Sequence, residues 1–133
     1  MSLDAAIYSQ LTGTAGIAAI VATRVYPAML PQTETLPAIT YIKVSTMALT
    51  THDGPANLER CRYAIVSWAT TPAAAQALAD LVKLALSCNG FTAAGHTVQV
   101  SFIENEETIY DDGLEPGRTR YGIGQDYMIW HNS

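Results

Sequence analysis

Residues 71–90 leave less conformational freedom than any other part of this chain. Thr71 followed by Pro72 starts a helix, with the threonine placed to cap and the proline at the first helical position, where its missing N–H costs nothing. Ala74, Leu78, Leu81, Val82, Ala85 and Leu86 recur at helical spacing, while Gln76, Asp80, Lys83 and Ser87 take the opposite face. Asn89-Gly90 closes the helix in the manner of a left-handed C-terminal cap. A helix with one apolar stripe must bury it against another layer, and the flanking sequence on both sides alternates like strand.

Upstream, Ala38 to Met47 places Thr40, Ile42, Val44 and Thr46 on one face and Ile39 and Tyr41 on the other. A loop over Ala48 to Leu58, containing His52-Asp53-Gly54-Pro55, leads to an answering strand from Arg60 to Trp68. Both faces of that strand become apolar toward its middle, the mark of a central strand covered on both sides. Downstream, Thr97 to Glu104 alternates with Val98, Val100 and Phe102 inward and Gln99 and Ser101 outward. An acidic stretch from Glu104 to Glu115 is broken by Asp112-Gly113 and Pro116-Gly117. Arg120 to Trp130 forms the last strand, with Gly122 and Gly124 on one face as signs of a bulge or a close approach.

At the start, Ser2 caps a first helix whose stripe is Leu3, Ile7 and Leu11, with Asp4 in the first turn and Gly13 at the end. Ile17, Ile20 and Val21 mark a short second helical piece, and Pro27 to Pro37 is an extended connection or a sheet edge. The expected architecture is α+β: a single domain, with an antiparallel β-sheet of about four strands and two main helices packed on it.

The chain has 133 residues, enough for one domain that buries about two-thirds of its unfolded surface. Hydrophobic residues make up 49% and charged residues 14%, below the ~25% charged fraction of an ordinary globular chain. So poorly charged a surface suits one that is partly covered by copies of itself. The formal charge of −5 resides entirely in residues 101–133, where the acids outnumber Arg118 and Arg120. No cluster of bases is present to neutralise phosphates, which disfavours nucleic-acid gripping. No apolar run approaches the ~18 residues of a spanning helix, and Met1-Ser2-Leu3-Asp4 lacks the basic region of a signal peptide. Cys61 and Cys88 are read as reduced core thiols of a protein made in the cytosol.

Chemistry finds little support. Cys61 with His52 as base would make a nucleophile, but the cysteine alternates as core and nothing orients the histidine. His52, His96 and His131 have no metal-ligand spacing, so neither a metal nor a cofactor is expected. The carboxylates Glu104, Glu106, Glu107, Asp111, Asp112 and Glu115 lack the regular pattern of a calcium loop. Two readings of them stay open: a solvated hairpin tip, or a wall of negative charge in an assembly that repels a polyanion. No glycine motif cradles a phosphate, and no enzyme activity is expected.

The order of segments nevertheless resembles a known family. Met1-Ser2-Leu3-Asp4-Ala5-Ala6-Ile7-Tyr8 leads to Arg24-Val25-Tyr26-Pro27 and Leu36-Pro37-Ala38-Ile39-Thr40-Tyr41. Asp53-Gly54-Pro55, a strand ending at Trp68, the helix after Thr71-Pro72 and a closing Asp126-Tyr127-Met128-Ile129-Trp130 follow. This order resembles the tail-completion or tail-terminator proteins of long-tailed bacteriophages and of prophage-derived particles such as gene transfer agents. The resemblance implies a structural virion protein over 1–133, without cofactor, forming a hexameric ring on the head-proximal end of the tail tube. Such a ring stops tail polymerisation and forms the head–tail joining surface. The implied partners are further copies of the chain, the tail tube protein and a head–tail connector or stopper protein, with DNA passing through without specific binding and no membrane involved. The place implied is the virion tail, assembled in the bacterial cytoplasm. Glu104, Glu106, Glu107, Asp111, Asp112, Glu115, Arg118 and Arg120 then become assembly or channel-facing residues. Another connector of the adaptor or stopper kind is the alternative, and a small cysteine-dependent enzyme is a more distant one.

Overall fold

The computed structural model describes residues 3–22, 24–27, 37–51, 54–86, 91–93, 96–111 and 120–132. Helices α1 (Leu3–Gly13) and α2 (Ala15–Val21) come first, followed by strands β1 (Val25–Pro27), β2 (Ala38–Thr51) and β3 (Gly54–Ala69). Helix α3 (Pro72–Leu86) then precedes β4 (Phe91–Ala93), β5 (His96–Asp111) and β6 (Arg120–Asn132). The strands form one six-stranded sheet in the order β1-β2-β3-β6-β5-β4. The α+β class is as expected, but the sheet is larger and mixed. The short β1, which shares only Pro27 with the Pro27–Pro37 stretch expected to be an extended connection or sheet edge, pairs in parallel with β2, and β4 adds to β5.

Helix α3 is built as its sequence requires. The Ala74 N–H donates to Thr71 Oγ1 at 3.2 Å, the capping bond expected of the threonine. Its buried stripe is Ala75, Leu78, Ala79, Val82, Ala85 and Leu86, so Ala74 lies outside it and Leu81 is only partly buried. Ala75 and Ala79 let the helix approach the sheet closely at Ala69 and Ile123, where the four side chains form a small cluster of their own. The Asn89-Gly90 cap lies outside the described residues, as does Cys88.

Arg24 clips the α2 end to the sheet. Its side chain donates to the carbonyls of Ile20 and Pro37, both at 3.0 Å, and its own carbonyl accepts from the Ile39 N–H at 3.0 Å. The first of these neutralises a carbonyl left over at a helix C-terminus, where the dipole favours a cation. The chain turns there at Ala22, a non-glycine residue with φ of 53°.

Three expectations need correction. The loop expected over Ala48 to Leu58 is mostly strand: β2 runs to Thr51 and β3 starts at Gly54, with Thr51 opposite Gly54. The acidic stretch is not a hairpin tip from Glu104 onward, because β5 continues through it to Asp111 opposite Arg120. The inward set of β5 is also wrong beyond Val98. A register shift between Val98 and Val100 turns the strand over, so Ser101 is buried while Phe102 is 42% exposed.

All the helices pack on one face of the sheet, and the main core lies between them and that face. It joins Ile7, Leu11 and Ile17 of the first two helices to Leu78 and Leu86 of α3 and to Ile39, Ile65 and Ile129 of the sheet. Strand β3 is central, but among the described residues helices cover it on one side only.

Candidate assembly surface

The sheet face away from the helices is assembled from alternate residues of four strands. Along β3 these are Arg60, Arg62, Ala64, Val66 and Trp68, all partly exposed, and along β6 the parity places Gly122, Gly124, Asp126, Met128 and Trp130 beside them. Ile42 on β2 and Phe102 on β5 extend the face outward, 47% and 42% exposed.

Tryptophans organise its two ends. The Trp68 indole N–H donates to Thr40 Oγ1 at 3.1 Å, so the ring reaches back toward β2. On its other flank a Cβ at Gly122 would stand 3.0 Å from two Trp68 ring carbons and 2.9 Å from Val66. The glycine expected to mark a close approach does so, but through side chains of the neighbouring strand, and the β3–β6 register runs without a bulge. The Arg120 guanidinium sits 5.5 Å from the Trp68 ring centroid, and Arg60 stands at the same distance from Trp130. The face is therefore mixed at its centre, where Ala64 lies beside Asp126 and Arg62 beside Met128, and framed by arginine–tryptophan pairs.

The acidic residues divide between roles. Glu104 pairs with Arg62 at 3.1 Å. Glu106 and Glu107 are exposed on β5. Glu106 also accepts from the Gln125 side chain at 2.8 Å. The same amide donates to the Ala79 carbonyl of α3 at 3.2 Å, and its oxygen accepts from the Tyr127 hydroxyl at 2.9 Å. Burial raises the Tyr127 pKa strongly, and the Glu106 charge adds to the rise. Asp111 lies opposite Arg120 at the end of β5, and Asp112, Glu115 and Arg118 lie outside the described residues.

Sequence reasoning joined Cys61 to His52, which lies outside the described residues. The histidine beside Cys61 is His131, its Nε2 3.2 Å from Sγ and 3.7 Å from Glu59 Oε1. Cys61 is fully buried, and burial pushes its thiol up, only partly opposed by Thr46 and Lys43. A thiol held protonated and out of solvent is core material and not a nucleophile. Gln125 and His131 share the parity of Ile123, Tyr127 and Ile129, and that alternation was the signal in the sequence that both point into the core. On the same helix-side face, the Tyr63 hydroxyl donates to the Asp4 carboxylate and ties α1 to β3. Burial raises the Tyr63 pKa well above its usual value, and the bond to Asp4 raises it further.

Among the described residues, no group of His, Cys, Asp and Glu is placed to hold a metal, and no helix is long and apolar enough to cross a membrane. The molecule is thus a small α+β protein with a helical layer on one side of its sheet and, on the other, a face that the described residues leave open. The model of the family described as tail completion protein gp17 matches residues 5–131, and the chain belongs to that family, a family of structural tail components and not of enzymes. Among solved structures, a chain from the virion of a native gene transfer agent particle is similar, with a TM-score of 0.77 and 18% sequence identity. The match covers 99% of this chain and 96% of that one, so the two share a fold over their whole lengths. Comparison with curated protein sequences gives no match.

Proposed function

We propose that this protein caps the head-proximal end of a tail tube as a hexameric ring, stops tail polymerisation and forms the surface onto which the head joins. Family membership over residues 5–131 carries this reading. The open sheet face supports it, because a subunit that adds to a ring must leave apolar surface uncovered until it assembles. The whole of 1–133 is read as one tail-terminator-like domain. Its partners are other copies of itself, the tail tube protein and a head–tail connector or stopper, in a tailed phage or a particle of the gene transfer agent kind.

The acidic set is read as assembly or channel-facing: Glu104, Glu106, Glu107, Asp111, Asp112 and Glu115, together with Arg118 and Arg120. Negative charge along a DNA passage lowers adhesion of the polyanion, and the exposure of Glu106 and Glu107 is consistent with that use. Loss of this gene from its particle tests the main reading. Overlong, headless tails are the expected result. Tails of normal length that lack heads would transfer the protein to an adaptor or stopper role, and normal particles would exclude both.

A further inference from the structure

The two long outer strands each leave one side without a partner among the described residues. On β2, the short β1 covers only Ile39, Thr40 and Tyr41, so among the described residues the edge from Ile42 to Thr51 is open. On β5, β4 covers only His96, Thr97 and Val98, so the edge from Val100 to Asp111 is open. Unpaired edges of this length are templates for another strand, and isolated proteins blunt them.

The exposure pattern marks the same two stretches. Every residue from Ile42 to Met47 is exposed, including Ile42, Val44 and Met47 at 47, 56 and 52%. Every residue from Glu104 to Thr108 is exposed as well. Charge separates the two edges. The open part of β5 holds Glu104, Glu106, Glu107 and Asp111 and no base, whereas the open part of β2 holds Lys43 and no acid. Two β5 edges placed side by side would oppose like charges, which destabilises a strand pair, but a β5 edge beside a β2 edge sets Lys43 among carboxylates.

Directions agree with that pairing. β2, β3, β6 and β5 alternate antiparallel across the sheet, so β5 runs opposite to β2. Copies standing side by side in the same orientation therefore bring β5 and β2 together antiparallel. The blocking strands also set a stagger. Tyr41, the last residue covered by β1, is level with Ile65, Gln125 and Glu106 across the sheet. Val98, the last residue covered by β4, is level with His131 and Glu59 toward the other end. The two open stretches are thus displaced along the strand axis, and a sheet that curves into a closed ring needs such a displacement between neighbours.

We propose that successive copies of this chain join by antiparallel pairing of the β5 edge of one with the β2 edge of the next, with β1 and β4 as stops that fix the offset. The contact is head-to-tail, and it closes a ring where its repeated rotation completes a full turn without a net rise. This proposal rests on the ring reading above and names the surface that makes the ring.

Ser45 and Glu107 are exposed and lie on the same sheet face, opposite Arg62 and Gly124. Ser45→Cys combined with Glu107→Cys, and in a second variant with Asn105→Cys to cover a two-residue change of register, is treated with a short bismaleimide. The wild-type chain is the blank, and native mass spectrometry of the same samples gives the oligomeric state. The expected result is a ladder of cross-linked species on a denaturing gel, ending at the native ring size, from the double variants only. A cross-linked dimer from Ser45→Cys or Glu107→Cys alone shows like edges meeting and overturns the proposal. Rings that form with no cross-link in either double variant overturn it while leaving the ring reading standing. A monomer at every concentration, uncross-linked, overturns the pairing of these edges between free copies and moves ring formation to the tail end itself.

Discussion

The two faces of the sheet are built from the same strands and have opposite fates. On the helix side Cys61, Tyr63 and Ile65 are fully buried, while on the other side Arg62, Ala64 and Val66, interleaved with them along β3, remain partly exposed. Both faces are apolar enough to have read as covered. The helical layer separates them, because α1, α2 and α3 all reach the sheet from one side. Apolar alternation on two faces indicates that both will be buried, but not by what. One is covered within the chain, and the other is available to an assembly.

Substitution should expose that asymmetry most strongly in the core. Ile65→Ala is expected to destabilise the isolated protein by about 3 kcal/mol, while Ile42→Ala costs about 0.5 kcal/mol or less, because only the first opens a buried cavity. Denaturant titration of both checks it, and equal losses would show that the open face is covered within the monomer. Alkali should come next. The pKa values of Tyr63 and Tyr127 are raised above 10.0 in the folded state, so their contribution to stability is full below that pH and declines as pH rises above it. With ~1.4 kcal/mol per pH unit for each group, about 2–3 kcal/mol should be gone by pH 11. Tyr63→Phe should flatten that decline in urea midpoints measured from pH 8 to 11.

Gly122→Val tests the open face from the other direction. Its Cβ would stand 2.9 Å from Val66, closer than real side chains come, and 3.0 Å from the Trp68 ring, tighter than most contacts, so a cost of about 2 kcal/mol is expected. A quenched or shifted Trp fluorescence should accompany it, and an unchanged spectrum would mean that Trp68 does not lie where the hydrogen bond to Thr40 puts it. The smallest effect has the opposite sign. Ser101 Oγ is buried on the helix side without a hydrogen-bond partner among the described residues, so Ser101→Ala should stabilise by about 1 kcal/mol. A loss of stability on thermal melting would show that the hydroxyl is satisfied after all.

What was legible from residues alone was local. The 3.6-residue stripe with a Thr-Pro start gave α3, and strict alternation gave β2, β3 and β6, because neighbouring side chains on one element report which face of it is wet. The family order of segments was legible for the same reason, since it depends on elements and their spacing. Sequence gave no view of pairing partners or of interruptions in register. The turn-over of β5 after Val98 comes from a bulge defined against β6, and it moved Phe102 outward and Ser101 inward. Cys61 met His131 and not His52 because β3 and β6 are neighbours, a contact between residues far apart along the chain. Glu106, one carboxylate among several in the sequence, became the outer end of a hydrogen-bond chain through Gln125 only when β5 lay beside β6. The chain by itself determined the three helices and the middle stretches of the four long strands, and that little of the surface would be charged. The tertiary structure alone decided which face the helices cover and which edges stay open, because those outcomes depend on contacts between distant segments that no local period encodes.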